Sequence, residues 1–288
     1  MSPASVLVYI HIPKCGGTSF RNMLARQLGR HHLNLYVDDT DFVYSESVLT
    51  DLLSDTGVWS LSSHFIYSFP PVLAGRPVYY ATFLRHPVGQ FLSYRNYICK
   101  VFRALKDSRL LARLPPRADE LSSREFARWV LTESPPIAPF RENFTVNHLT
   151  KHVSNNISTT GPESRRSRLQ AAQEILQEFL FVGITEELSV SFGRFVDVAV
   201  KRGFPLWHDS VPVDNAAREY TDDISWLNPE DEIGSLLLAS MEEDLALYHW
   251  AKGFAATSRG SDVDDARRHS HTSYEAVCRQ RAHLPLSF

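Results

Sequence analysis

Cysteine is scarce in this 288-residue chain, which carries only Cys15, Cys99 and Cys278. They are odd in number and far apart, so they do not read as a disulfide framework, and no CxxC or Cys/His spacing suggests zinc. A reducing compartment follows from this, and we expect a cytoplasmic protein. Long apolar runs are also missing. The run Val6–Ile10 is far too short to span a bilayer and lacks the basic flank and cleavage site of a signal peptide. No basic stripe stands out. Net charge is −3 with acids and bases mixed along the chain, so nucleic acid is not an expected partner. No internal repeat and no clear second core is legible.

What is present is ordinary globular composition: 43% apolar and 22% charged residues, enough for one large α/β domain or two small ones. Four short runs rich in β-branched or aromatic residues, at 6–12, 58–62, 78–84 and 179–184, read as buried strands. Helical patterns lie between or after them, which predicts βα units and a parallel sheet. A first helix starts at about Thr18, with Phe20, Leu24 and Leu28 on one face and Gly29 as its stop. A second starts at Pro87 and carries Val88, Phe91, Leu92, Ile98, Val101, Phe102 and Leu105 at helical spacing. Further helices are predicted over 162–177 and 189–202. A last one is N-capped at Asn228, runs to about Lys252 and stops at Gly253. Residues 107–139 break the pattern with Pro115, Pro116, Pro135, Pro136 and Pro139 around a short helix at 123–131. The expectation is a single α/β domain over 1–254, followed by a polar tail over 255–288 that is partly disordered.

The first strand ends in His11-Ile12-Pro13-Lys14-Cys15-Gly16-Gly17-Thr18-Ser19-Phe20, and a helix follows. Adjacent glycines let a backbone close around an anion, while the helix directs unpaired N–H groups and its positive dipole end to the same place. Lys14 adds a full charge, and Thr18 and Ser19 add hydroxyl donors. A bare Lys-x-Gly-Gly is more often a plain tight turn, but the complete strand–loop–helix context favours a phosphate or phosphosulfate site. It is not a Walker A loop, because Lys14 precedes the glycines. A second group follows the third strand, in Thr82-Phe83-Leu84-Arg85-His86-Pro87, with Ser93 two turns into the next helix. Singly, Arg85 reads as a surface ion pair and Ser93 as a solvent-facing serine. Converging at a strand's C-terminal end, they suit a second, separate phosphate.

Residues 13–20 resemble the 5'-phosphosulfate loop of sulfotransferases that use 3'-phosphoadenosine-5'-phosphosulfate (PAPS). They are most similar to the branch of carbohydrate sulfotransferases and their bacterial relatives. Arg85 and Ser93, with Pro87 two residues after the arginine, resemble the family's 3'-phosphate motif. Residues 181–186 and 244–248 are similar to lesser landmarks of the branch. The resemblance covers about 6–254 and implies a P-loop-like three-layer α/β fold with a central parallel sheet flanked by helices. It implies that Lys14, Cys15, Gly16, Gly17, Thr18, Ser19, Arg85 and Ser93 bind PAPS. It further implies that His64, after the second strand, is the base that takes the proton from an acceptor hydroxyl, normally a carbohydrate's.

His64 has a near-neutral intrinsic pKa suited to that task, although a lone histidine after a strand is usually structural. Here Ser63 precedes it where relatives often carry glycine. Lys14 is the second catalytic candidate, stabilising charge on the leaving phosphate, and no divalent metal is expected. His148 and His152 share an i, i+4 spacing but have no third ligand in sight. Asn143 falls in a family polar motif with Asn147, yet reads more readily as an N-cap; Thr185 is placed near the adenine by analogy alone. The rival readings are a P-loop kinase-like phosphotransferase and a non-catalytic binder of PAPS or its product. Acceptor choice is expected to lie in the locally basic stretch 103–141, with Arg109, Arg113 and Arg117 foremost.

Overall fold

The computed structural model describes residues 4–35, 43–55, 57–104, 117–133, 143–150, 162–208 and 224–257. The predicted tail lies outside the described residues from 258 onward, while 255–257 continue the last helix past Gly253; Arg109, Arg113 and His152 also lie outside. Strand β1 (Val6–Ile10) is wholly buried, as its unbroken apolar run requires of a central parallel strand. It pairs in parallel with β3 (Ser60–Ser63) on one side and β5 (Arg76–Leu84) on the other. Outside these lie β2 (His32–Leu35), parallel to β3, and β6 (Phe181–Ile184), parallel to β5. The sixth strand, β4 (Val72–Leu73), is an antiparallel hairpin on the start of β5. Its two-residue loop, Ala74-Gly75, has positive φ at both positions, the type I′ geometry that matches strand twist.

Five parallel strands, β2-β3-β1-β5-β6, thus make the sheet, and helices flank it: the fold is three-layer α/β. Helix α1 (Gly17–Leu28) and helix α7 (Leu188–Lys201) bring Phe20, Phe192 and Phe195 against Tyr9, Phe83 and Phe181 of the strands. Phe20, Phe83 and Phe195 are fully buried, and each truncation to alanine would cost about 3–5 kcal/mol. Polar strand residues are satisfied rather than exposed. Ser60 and Ser62 meet His32 and Asn34 of β2, and Thr82 donates to the Ile10 carbonyl.

Beyond α2 (Glu46–Ser54), α3 (Pro87–Ala104) leaves the end of β5. With α4 (Ser123–Arg128) and α8 (Glu232–Ser240) it encloses a second apolar cluster around Phe91, Phe126, Val130, Trp226 and Leu237. Helices α5 (Phe144–Thr150), α6 (Pro162–Gln177) and α9 (Glu242–Thr257) pack together and reach the sheet through β6. Phe144 packs against both clusters and joins them. The helix read over 228–252 is in fact α8 and α9. The N-cap is Asp231, which accepts from the Ile233 and Gly234 N–H groups, not Asn228. The break falls at Met241, because Asn143 reaches in from elsewhere and accepts from the Glu243 and Asp244 N–H groups.

Candidate functional site

Every chemically capable group of the two motifs lies at the C-terminal edge of the parallel strands. They flank the end of β1, which has β3 on one side and β5 on the other, the position where open parallel sheets bind ligands. The loop after β1 is tightly wound. Lys14 has φ 67° and Gly16, the residue before α1, has φ 74°. Gly16 provides no side-chain cap and the first turn of α1 contains no acid, so an anion is the natural complement of that helix end.

Side chains from α3 and from the turn just before it brace the loop. Gln90 Nε2 donates to the Pro13 carbonyl at 2.8 Å, and Arg85 Nη1 donates to the Lys14 carbonyl at 3.2 Å. Gln90 is anchored in turn by Thr145 of α5, whose hydroxyl donates to Oε1 at 3.1 Å. On the far side, Thr185 donates to the Leu84 carbonyl, and its methyl group would lie 3.3 Å from a Cβ placed on Gly16. Cys15 turns its side chain into the core, where burial pushes the thiol far above its ordinary pKa and leaves it inert. Its N–H closes a turn onto the Ile12 carbonyl.

The ammonium of Lys14 stands 4.5 Å from the centre of the Tyr97 ring. Burial, then Arg85 and Lys100, lowers its pKa to about 8. Lys14 thus feels two further positive charges, a setting that suits a ligand bearing more than one negative charge. Ser93 lies one helical turn before Tyr97 and so shares the α3 face that meets Lys14.

His64 follows β3 and is tied to the same loop. Its Nδ1–H donates to the His11 carbonyl at 2.5 Å, which places the lone pair on Nε2. Burial lowers its pKa to about 4, with the carbonyl bond opposing and Arg21 and Lys14 reinforcing, so the imidazole is neutral at pH 7. Lys14, Arg85 and His64, which the sequence places in three separate segments, are thereby joined through one loop backbone.

Several contributors were not legible as site residues. His11, Gln90, Tyr97 and Lys100 all bear on the loop or on Lys14, and Ser93, Tyr97 and Lys100 share a spacing of three to four that marks one helix face. His148 of α5 also approaches, its ring 5.2 Å from that of Tyr67. Other candidates fall elsewhere. Asn143 caps α9, and Asn147 accepts from Arg168 at 3.4 Å. Arg117 pairs with Glu120, and Arg124 donates to Asp231 at 2.8 Å, so Arg124 ties α4 to α8. A depression of about 540 Å³ near Val200, Trp207 and His208 adjoins the C-terminal end of α7, at the opposite edge of the sheet.

Among the described residues no cluster of three His, Cys, Asp or Glu side chains is arranged to hold a metal ion, and no helix is long and apolar enough to cross a membrane. The sequence matches no protein-family model, and no curated protein gives a significant match.

Proposed function

We propose that the protein is a sulfotransferase that moves the sulfuryl group of PAPS to a hydroxyl of an acceptor, in the first instance a carbohydrate. The observation that carries this reading is the Arg85–Lys14 contact, which draws two separately encoded anion motifs into one crevice beside a neutral imidazole. PAPS carries anionic groups at two ends of one ribose, the arrangement such a pair of motifs would read. The residues fit it. Gly16 and Gly17 clear the loop of side chains, Lys14 faces the phosphosulfate, and Arg85 with Ser93 lies on the flank suited to the 3'-phosphate.

The protein's share of the reaction is positioning and electrostatics. His64 Nε2 accepts the acceptor's hydroxyl proton as its oxygen bonds to sulfur. The bond from sulfur to the 5'-phosphate oxygen breaks, and Lys14 with the α1 N-terminus stabilises the charge left on that oxygen. The products are a sulfate ester and 3'-phosphoadenosine-5'-phosphate (PAP). The test is an acceptor screen with radiolabelled PAPS, read by product mass spectrometry, beside His64→Ala. Transfer is expected from the wild type and not from His64→Ala, while both bind PAP equally. A wild type that neither binds PAP nor transfers sulfate to any hydroxylated acceptor would sink the proposal.

A further inference from the structure

His11 belongs to neither phosphate-contacting set, yet it touches the base twice. Its carbonyl accepts the His64 Nδ1–H. Its ring lies over the His64 ring, with centroids 3.9 Å apart and planes 29° from parallel. The His11 ring is itself held fast. It is 5% exposed and stacks on Tyr9 at 5.7 Å. It also fills the space where Gly17 lacks a Cβ, an atom that would stand 1.8 Å from His11 Cδ2. The second glycine of the loop therefore serves the base as well as the anion, since any side chain there evicts the ring on which His64 rests.

A single hydrogen bond does not fix an imidazole, because the ring can still pivot about the Nδ1···O line. A flat neighbour at van der Waals distance removes that freedom. We infer that His11 is a positioning residue for His64: its carbonyl sets the tautomer with the lone pair on Nε2, and its ring, seated over Gly17, holds the plane of the base. The inference rests on the sulfotransferase reading for the identity of the proton that moves. The charged and titratable groups facing the two rings are Arg21 of α1, Lys14 of the loop and His148 of α5. All are basic and, with burial, oppose a proton on His11, so the stacked pair does not repel itself at neutral pH.

The first test uses the wild-type chain alone. Ring nitrogen NMR shifts of His64 at neutral pH should show a protonated Nδ1 and an unprotonated Nε2; the opposite tautomer overturns the inference. The second compares His11→Ala with His11→Phe, which retains both a flat ring and the carbonyl. His11→Ala should lower kcat about 100-fold at unchanged PAPS KM and shift the acidic limb of the pH–rate profile, as loss of alignment rather than of binding predicts. His11→Phe should restore kcat to near the wild-type value. Wild-type kcat in His11→Ala overturns the inference, and so does a His11→Phe variant as inactive as His11→Ala, since the imidazole itself would then be needed. If His11→Ala does not fold, His11→Phe and the tautomer still decide. Absence of transfer in the wild type, with the His64 ring shifts still displaced by His11→Ala, fails the sulfotransferase reading alone and supports the positioning role.

Discussion

Asn143 and Asp244 cap one another's helices. The Asn143 side chain accepts from the Glu243 and Asp244 N–H groups at the start of α9, and Asp244 accepts from the Thr145 and Val146 N–H groups at the start of α5. Both residues are buried, so the exchange satisfies four amides that water does not reach. Because α5 also supplies Thr145, which anchors Gln90 under the loop, this exchange supports the site from behind.

Removing either cap should therefore destabilise the protein. Asn143→Ala and Asp244→Ala are each expected to cost about 1–2 kcal/mol or more. The double variant should cost less than the two separately, because they share one capping unit. Urea denaturation measures all three, and strict additivity would show the caps to be independent.

Arg85 should discriminate between nucleotides. Arg85→Ala is expected to weaken PAP binding much more than adenosine 5'-phosphate binding, as titration calorimetry can compare. Equal losses would show that Arg85 only braces the Lys14 carbonyl and does not read the 3'-phosphate.

Nucleotide binding should weaken as pH rises through about 8. Lys14 has a lowered pKa in the empty site, so its ammonium is present below that pH and lost above it. An anionic ligand favours the charged form, so binding near pH 8 should draw in a proton, visible as a binding enthalpy that varies with the buffer. Lys14→Arg keeps its charge throughout and should flatten the dependence; a dependence that persists in that variant would assign it to another group.

Acid should unfold the protein through its buried histidines. Burial holds His32 and His64 near a pKa of about 4 and His11 well below 6.5. Their folded values are depressed, so their contribution is fully present above the unfolded value of 6.5 and is lost as pH falls toward 4. Melting temperature followed across that window should drop steeply. Asp244, raised by burial to about 7, gains a proton in the fold first and so opposes the histidines within that window; a drop that appears only below pH 4 would belong to the remaining carboxylates.

The four apolar strands, the glycine loop and the start of α3 were legible because each is a local pattern: an unbroken β-branched run, a pair of glycines, a proline at a helix start. The strand β2 was not, since His32 and Asn34 interrupt its apolar residues and find partners only on the neighbouring Ser60 and Ser62. The division between α8 and α9 was hidden for a similar reason. The cap that begins α9 comes from Asn143, 100 residues earlier than Glu243, and no spacing within 228–252 records it. In the site, Lys14 stood out by its strand–loop–helix context and Arg85 by its pairing with Ser93 after a strand, whereas His64 read as structural until the family resemblance singled it out. Their convergence on one loop backbone was not legible, since it depends on β1 pairing with both β3 and β5.

The positive φ of Lys14 puts the proposed function in competition with durability. A lysine held at φ 67° pays for a backbone shape that glycine adopts without strain, a cost on the order of 1–2 kcal/mol. Lys14→Gly should therefore melt no lower than the wild type, and up to about 1 kcal/mol more stable, while losing both nucleotide affinity and transfer. Selection for thermal robustness alone, with no demand on activity, would be expected to discard this lysine early, so its retention in a thermostabilised library would report on the chemistry and not on the fold.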